Sequence, residues 1–263
     1  MIDFNSQSLL SDRINFLVDA ANGVRTEPPR DYLGCSAIGG VCERAAYYEY
    51  ARASAVTSQT RACHATLGSP TAALSANVSP RALRIFSRGH ALEPVAAGWL
   101  KRAGFVLLTE DPATGEQFEV SFCGGRLKGH ADGMICHWRG EGPCPVPLPC
   151  LWECKVLGHR YAMQAKREGI AKSHPKYAAQ TALYMEGLGL RHCLFTVVDA
   201  DLMELHFELA DADPALSARM QERFLRIAAA FDAGEAVPRG ETKRTAAACR
   251  MCRWAGPCWE EPC

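Results

Sequence analysis

The sequence predicts a mixed α/β fold: a central mixed β-sheet flanked by helices, with a small cysteine-bearing subdomain made from both chain ends. Three observations predict it. The hydrophobic period is helical over residues 6–22 and 80–103 and changes to two from Phe105 onward. The elements run in the order helix, strands, helix, strands, helix, which suits a layered mixed core. The chain closes on Cys249-x2-Cys252-x5-Cys258, and a further cysteine, Cys42, stands far upstream in S-x-I-x-x-x-C-x-R-x-x-Y-Y, from Ser36 to Tyr48. Three units follow: an N-terminal helical region over 1–79, a core over 80–235 and a cysteine-rich segment over 236–263.

The elements are justified in turn. Leu9, Leu10, Ile14, Leu17 and Val18 recur at helical spacing, so 6–22 reads as an amphipathic helix, ended by Glu27-Pro28-Pro29. A second helix spans Glu43 to Arg52. Residues 53–79 are rich in Ala, Ser and Thr with little periodicity, which reads as a long loop and a lid candidate. A helix from Pro80 to Ala103 carries Gly89, His90 and Glu93. Phe105 to Thr109, Gln117 to Phe122, Arg126 to His137 and Cys150 to Val156 alternate as strands, and the proline-rich stretch Gly140 to Pro149 connects the last two. Ser173 is read as the cap of a helix with Pro175 in its first turn, running to Gly187. His192 to Val198 and Met203 to Leu209 form a further strand pair, and Pro214 to Ala233 a long helix. There is no internal repeat.

Composition narrows the function classes. With 263 residues and 48% hydrophobic content, the chain can build a sizeable core without a disulfide framework. No apolar run is long enough to span a bilayer, and Met1 to Gln7 lack the blocks of a signal peptide. These features place the protein in a cytosol, with no membrane partner, where its 13 cysteines stay reduced and available to metal. Formal charge is balanced, 29 basic against 29 acidic residues, which argues against a generic nucleic-acid glue. The charges are nevertheless segregated. Lys155 to Lys176 holds six Lys or Arg and one acid, and Arg239 to Arg253 holds five and one. Asp199 to Asp213 holds six acids and no Lys or Arg. Basic runs of this kind form local phosphate-attracting surfaces on a neutral protein.

Successive strand residues face opposite ways, so Glu153 and Lys155 share one face while Trp152 and Cys154 share the other. Asp132, in Gly129-His130-Ala131-Asp132-Gly133, lies on the preceding strand and can face Glu153. Two carboxylates and a strand carbonyl, that of Cys154, make an all-oxygen site suited to Mg²⁺ or Mn²⁺. Lys155 is then placed to stabilise charge developing on a phosphate. The plain alternative is an inter-strand salt bridge, which E-x-K pairs form commonly. On the following helix, Lys176, Gln180 and Tyr184 fall on one stripe, a cation, an amide and an aromatic ring suited to phosphate, sugar and base. Four thiolates from Cys42 and the tail suit zinc and a four-iron cluster equally by spacing. Cys35 rivals Cys42 and Cys263 rivals Cys258. Cys144 and Cys150, though also spaced C-x5-C, flank a proline loop and read as free thiols.

Taken together, Asp132, Glu153-x-Lys155 and Gln180-x-x-x-Tyr184 resemble the PD-(D/E)XK nuclease superfamily in its RecB-like branch. Cys42 with Cys249-x2-Cys252-x5-Cys258 resembles the iron–sulfur subset of that branch, which includes AddB nuclease domains and CRISPR-associated exonucleases. The likeness runs from Ser36 to Cys258 and extends to stand-alone proteins of phage type. It implies a restriction-endonuclease-like core over 80–235 and a metal-dependent DNA exonuclease acting on single strands or frayed ends. Asp132 and Glu153 would be metal ligands, Lys155 the catalytic lysine, and Gln180 and Tyr184 neighbours of the DNA. The upstream helix motif would supply His90, the RecB-like choice and the one preferred here, or Glu93, the choice of phage-exonuclease-like members. The cysteines would hold a structural [4Fe–4S] cluster, with zinc as the alternative, and Cys42 is favoured over Cys35 because Arg44 and Tyr47-Tyr48 follow it. Partners would be DNA and recombination or CRISPR adaptation proteins, in a bacterial host cytosol if phage-encoded. A non-cleaving DNA-end adaptor on the same fold is the competing reading.

Overall fold

The computed structural model describes residues 8–23, 30–57, 79–250 and 252–260. Helices α1 (Ser8–Gly23), α2 (Cys35–Ile38) and α3 (Glu43–Thr57) come first, with a short strand β1 (Leu33–Gly34) before α2. Then follow α4 (Pro80–Ala103) and strands β2 (Phe105–Leu108), β3 (Phe118–Phe122), β4 (Leu127–Ala131), β5 (Gly133–Trp138) and β6 (Cys150–Leu157). Helices α5 (His159–Glu168), α6 (Ile170–Ser173) and α7 (Pro175–Gly187) lead to β7 (His192–Asp199) and β8 (Leu205–Asp211). Helix α8 (Pro214–Ala233) and two short tail helices, α9 (Ala247–Arg250) and α10 (Ala255–Glu260), close the chain. The Glu27-Pro28-Pro29 stop, residues 1–7, most of the lid candidate and Cys263 lie outside the described residues. No helix among the described residues is long and apolar enough to cross a membrane.

The fold is mixed α/β, with helices flanking two sheets. The larger has the order β2-β5-β6-β7-β8, with β6 and β7 parallel and every other pair antiparallel. The smaller has the order β1-β4-β3. The single strand expected over Arg126 to His137 is therefore two strands in two different sheets. The chain leaves one sheet at Ala131 and enters the other at Gly133, with Asp132 alone between them.

Helix α7 lies between the sheets, and every residue from Ala179 to Met185 is buried. Glycines permit the approach. A Cβ at Gly129 of β4 would stand 2.4 Å from the Tyr184 ring, and one at Gly187 would stand 2.7 Å from Val120. The main core fills this layer with Leu127, Ala131, Leu151, Leu183, Phe195 and Phe224. On the other face of the large sheet, Ala96, Ala97 and Leu100 of α4 cover Trp152, Cys154 and Leu194. Ser79 caps α4 by accepting from the Ala82 N–H, and Gly104 ends it in the left-handed region.

Three expectations are corrected. Leu10, Ile14 and Leu17 of α1 are exposed, so its apolar stripe is not a core face. Helices α5 and α6 fill a stretch read only as a basic run. Ser173 does not cap α7: His174 occupies that position, and the Ser173 hydroxyl donates to the Gly169 carbonyl at 2.5 Å.

Candidate active site

Glu153 projects from the middle of β6 and is wholly buried. Lys155, two residues on, shares its face as strand geometry requires. Its ammonium donates to Glu153 Oε1 at 2.5 Å and to the Cys154 carbonyl at 3.1 Å, and stands 3.6 Å from Asp132 Oδ2. All three predicted oxygen donors thus converge on one ammonium. Asp132 is anchored as well, because its Oδ2 accepts the Cys154 N–H at 2.8 Å, tying the inter-sheet junction to β6.

The charges do not balance. Glu93 of α4 is half-buried and close enough to Asp132 and Lys155 to interact with both. Three carboxylates therefore surround one ammonium. Burial, followed by the Asp132 charge, pushes the Glu153 carboxyl up to about 8 and the Glu93 carboxyl up to about 7. Burial opposes the Lys155 ammonium, but Glu153 and Asp132 outweigh it and hold its pKa well above the ordinary value. Glu153 Oε2 has no hydrogen-bond partner although it is buried. The raised pKa values record the cost of ionising these carboxyls together, a cost that a hard cation would offset. The donor set fits Mg²⁺ or Mn²⁺ in kind. Among the described residues, no three His, Cys, Asp or Glu side chains, whether these carboxylates or the tail cysteines, stand as a group that could hold a metal ion.

Of the two α4 candidates, Glu93 lies among these carboxylates and His90 is exposed. The stripe on α7 is corrected. Lys176 is exposed, but Gln180 is 6% and Tyr184 3% exposed. The Gln180 amide donates to the Tyr184 hydroxyl at 2.9 Å, and the Tyr184 ring lies on Gly129. These two side chains brace α7 against the small sheet, and the Tyr184 ring has no face open to a base.

Sequence reasoning missed a different set of rings. The Lys155 ammonium sits 5.7 Å from the centroid of the Tyr177 ring. His174 stacks on Tyr177 at 5.5 Å with an 8° interplanar angle, and Tyr161 meets His174 edge-on at 6.2 Å. The signal was present: Tyr177 and Tyr184 are seven apart on one helix, a spacing that puts both rings on the side facing Lys155.

At the other end of the molecule, α3 and the tail meet. Tyr48 stacks on Trp254, Arg44 donates to the Val237 carbonyl at 3.1 Å, and the Trp254 indole N–H donates to Glu49 at 2.8 Å. The motif residues Arg44 and Tyr48 therefore grip the tail directly. Cys42, Cys249, Cys252 and Cys258 fall in one neighbourhood. Burial, then the nearby Cys42, Cys249 and Cys258, raise the Cys252 thiol. A Cβ at Gly240 would stand 3.2 Å from Cys42 Sγ, so a glycine there keeps the space beside that sulfur open. The four thiols are half-buried and near one another, but among the described residues they do not stand as a group that could hold a metal ion. Cys35 lies apart in the main core, wholly buried, and burial pushes its thiol up to about 12.

No protein-family model matches the chain, and no curated protein does. Among solved structures, the alkaline exonuclease LHK-Exo from Laribacter hongkongensis is similar at 18% identity and a TM-score of 0.47, over 83% of this chain and 93% of that one. The same exonuclease in complex with dAMP aligns at 17% identity and a TM-score of 0.47. SSO0001 is similar at 13% identity and a TM-score of 0.46, over 95% of this chain and 96% of that one. At such values no assignment rests on these likenesses.

Proposed function

We propose that this chain is a metal-dependent deoxyribonuclease, an exonuclease acting on single strands or frayed ends, with a structural [4Fe–4S] cluster at its cysteine quartet. One observation carries the nuclease reading. The buried Glu153 side chain, with an unpartnered oxygen, lies close to Asp132, Glu93 and a single lysine. A salt bridge alone does not account for three carboxylates around one ammonium. Asp132, Glu153 and Glu93 would hold a divalent cation, which would supply charge neutralisation at a phosphodiester and lower the pKa of water. Lys155 keeps its proton and donates it as a hydrogen bond to charge developing on the phosphate. Asp132, fixed by the Cys154 N–H, keeps the pocket from relaxing away from the strand.

The decisive experiment is incubation of end-labelled single-stranded DNA with Mn²⁺ or Mg²⁺, and in parallel with chelator. Cleavage with metal and none with chelator is expected, and Lys155→Ala should remove it without unfolding the protein. DNA binding without cleavage under every metal would favour the adaptor. Anaerobic purification tests the cluster: a brown, iron-containing protein is expected, and a colourless protein holding one zinc would replace iron by zinc at the same four thiols.

A further inference from the structure

We propose that Tyr161 heads an aromatic track, with the inner rings His174 and Tyr177 fixed on one another behind it, and stacks a base of an unpaired DNA end on the way to Lys155; this rests on the nuclease reading and names how its substrate is held. The three rings form a continuous run from solvent to the buried ammonium. Tyr161 is 54% exposed, His174 and Tyr177 are half-buried, and Tyr177 carries Lys155 on its ring. One face of Tyr177 is taken by His174 and the ring is also approached by Phe195, so the inner rings are fixed and Tyr161 is the ring open to a ligand. Helix α5 gives no packing reason for that tyrosine, since Ala162 and Ala165 are the residues it buries.

The surroundings are those of a nucleic-acid path. Each ring has an exposed cation beside it in sequence: Arg160 before Tyr161, Lys172 two before His174, and Lys176 before Tyr177. Alternating aromatic rings and cations suit a single strand, whose bases stack while its phosphates meet the charges. The imidazole is held in one orientation. The Ser173 hydroxyl spends its hydrogen on the Gly169 carbonyl, so its oxygen accepts from His174 at 2.8 Å, and Nδ1 carries the proton. Burial also lowers the His174 pKa. Bases inside a duplex are stacked on each other and do not reach the rings, so the track selects ends that are already unpaired.

The test uses an oligodeoxythymidine with 2-aminopurine at its terminal position, added to the full-length protein in chelator. Stacking quenches the fluorophore. Wild-type protein and Tyr161→Phe should quench it, whereas Tyr161→Ala should not. Single-strand affinity of Tyr161→Ala should fall about 5- to 150-fold, the effect of losing one base–aromatic stack, with blunt duplex affinity unchanged. With Mn²⁺, the same variant should raise KM and leave kcat near wild type. Equal quenching and affinity in wild type and Tyr161→Ala would overturn the track, even with cleavage intact. Quenching that depends on Tyr161, together with an oligonucleotide left whole under Mn²⁺, would sink the nuclease reading and leave the track standing. A wild-type protein that neither binds nor cuts the strand would overturn both.

Discussion

The carboxylate centre and the cysteine clamp are built on opposite plans. At the centre, the protein fixes its groups tightly and leaves their charge unresolved: three carboxylates, one ammonium and one buried oxygen without a partner. At the clamp, most contacts among the protein's own groups are made, with the buried Trp259 indole N–H the exception. Trp254 stacks on Tyr48 and bonds Glu49, Arg44 reaches Val237, and the Arg239 guanidinium donates to the Cys258 carbonyl at 2.9 Å. A site that is pre-strained electrostatically gains its ligand's charge as function. A site that is pre-packed gains a ligand as a lock on a structure it already has.

Point substitutions break or sharpen that contrast. Lys155→Ala should lower cleavage about 10³-fold, the scale for losing a preorganised donor to developing charge. Its melting temperature should stay near wild type, and an active Lys155→Ala protein would mean that the centre has been misread. Trp254→Ala should cost about 3 kcal/mol in unfolding titrations, because a buried ring is removed, yet keep its iron. Cys42→Ala should show the converse, losing iron and visible colour while Tyr48 and Trp254 stay packed; if both variants lose iron together, scaffold and lock are one unit. Cys35→Ala should keep its iron and lose about 1 kcal/mol through a small core void. Glu93→Gln should weaken Mn²⁺ binding, read by calorimetry, by about 10- to 100-fold, whereas His90→Gln should not. The smallest effect is expected for Tyr184→Phe, about 1 kcal/mol of stability from the lost Gln180 hydrogen bond and no change in DNA affinity.

Much of this was legible in the sequence. The bounds of α4, α7 and α8 follow from apolar spacing and from Pro and Gly at their ends. Glu153 and Lys155 share a face because strands alternate. What escaped did so for physical reasons. Leu127, Gly129, Ala131, Gly133 and Ile135 are all buried, so the period of two runs unbroken through Asp132 and hides the passage between sheets. Helix α5 buries only alanines and leaves no apolar stripe to read. The stripe on α7 was assigned to DNA because a helix is assumed to have a wet side. From Ala179 to Met185 this one has none, since it lies between two sheets. Proximity of Cys42 to the tail was expected from metal chemistry, and the contacts that grip the tail are those of Arg44 and Tyr48.

The single-residue passage at Asp132 makes the molecule intolerant of length change at one point. An insertion after Ala131 would let each sheet keep its own ladder, since β4 pairs with β3 and β5 with β6. It would nevertheless turn the carboxylate away from the Cys154 N–H. Substitutions around the junction are a matter of fit and can be compensated by neighbours; a frame-preserving insertion cannot. Natural variation in this chain should therefore accumulate as exchanged side chains on either side of Asp132, with the count of residues between the two sheets held at one.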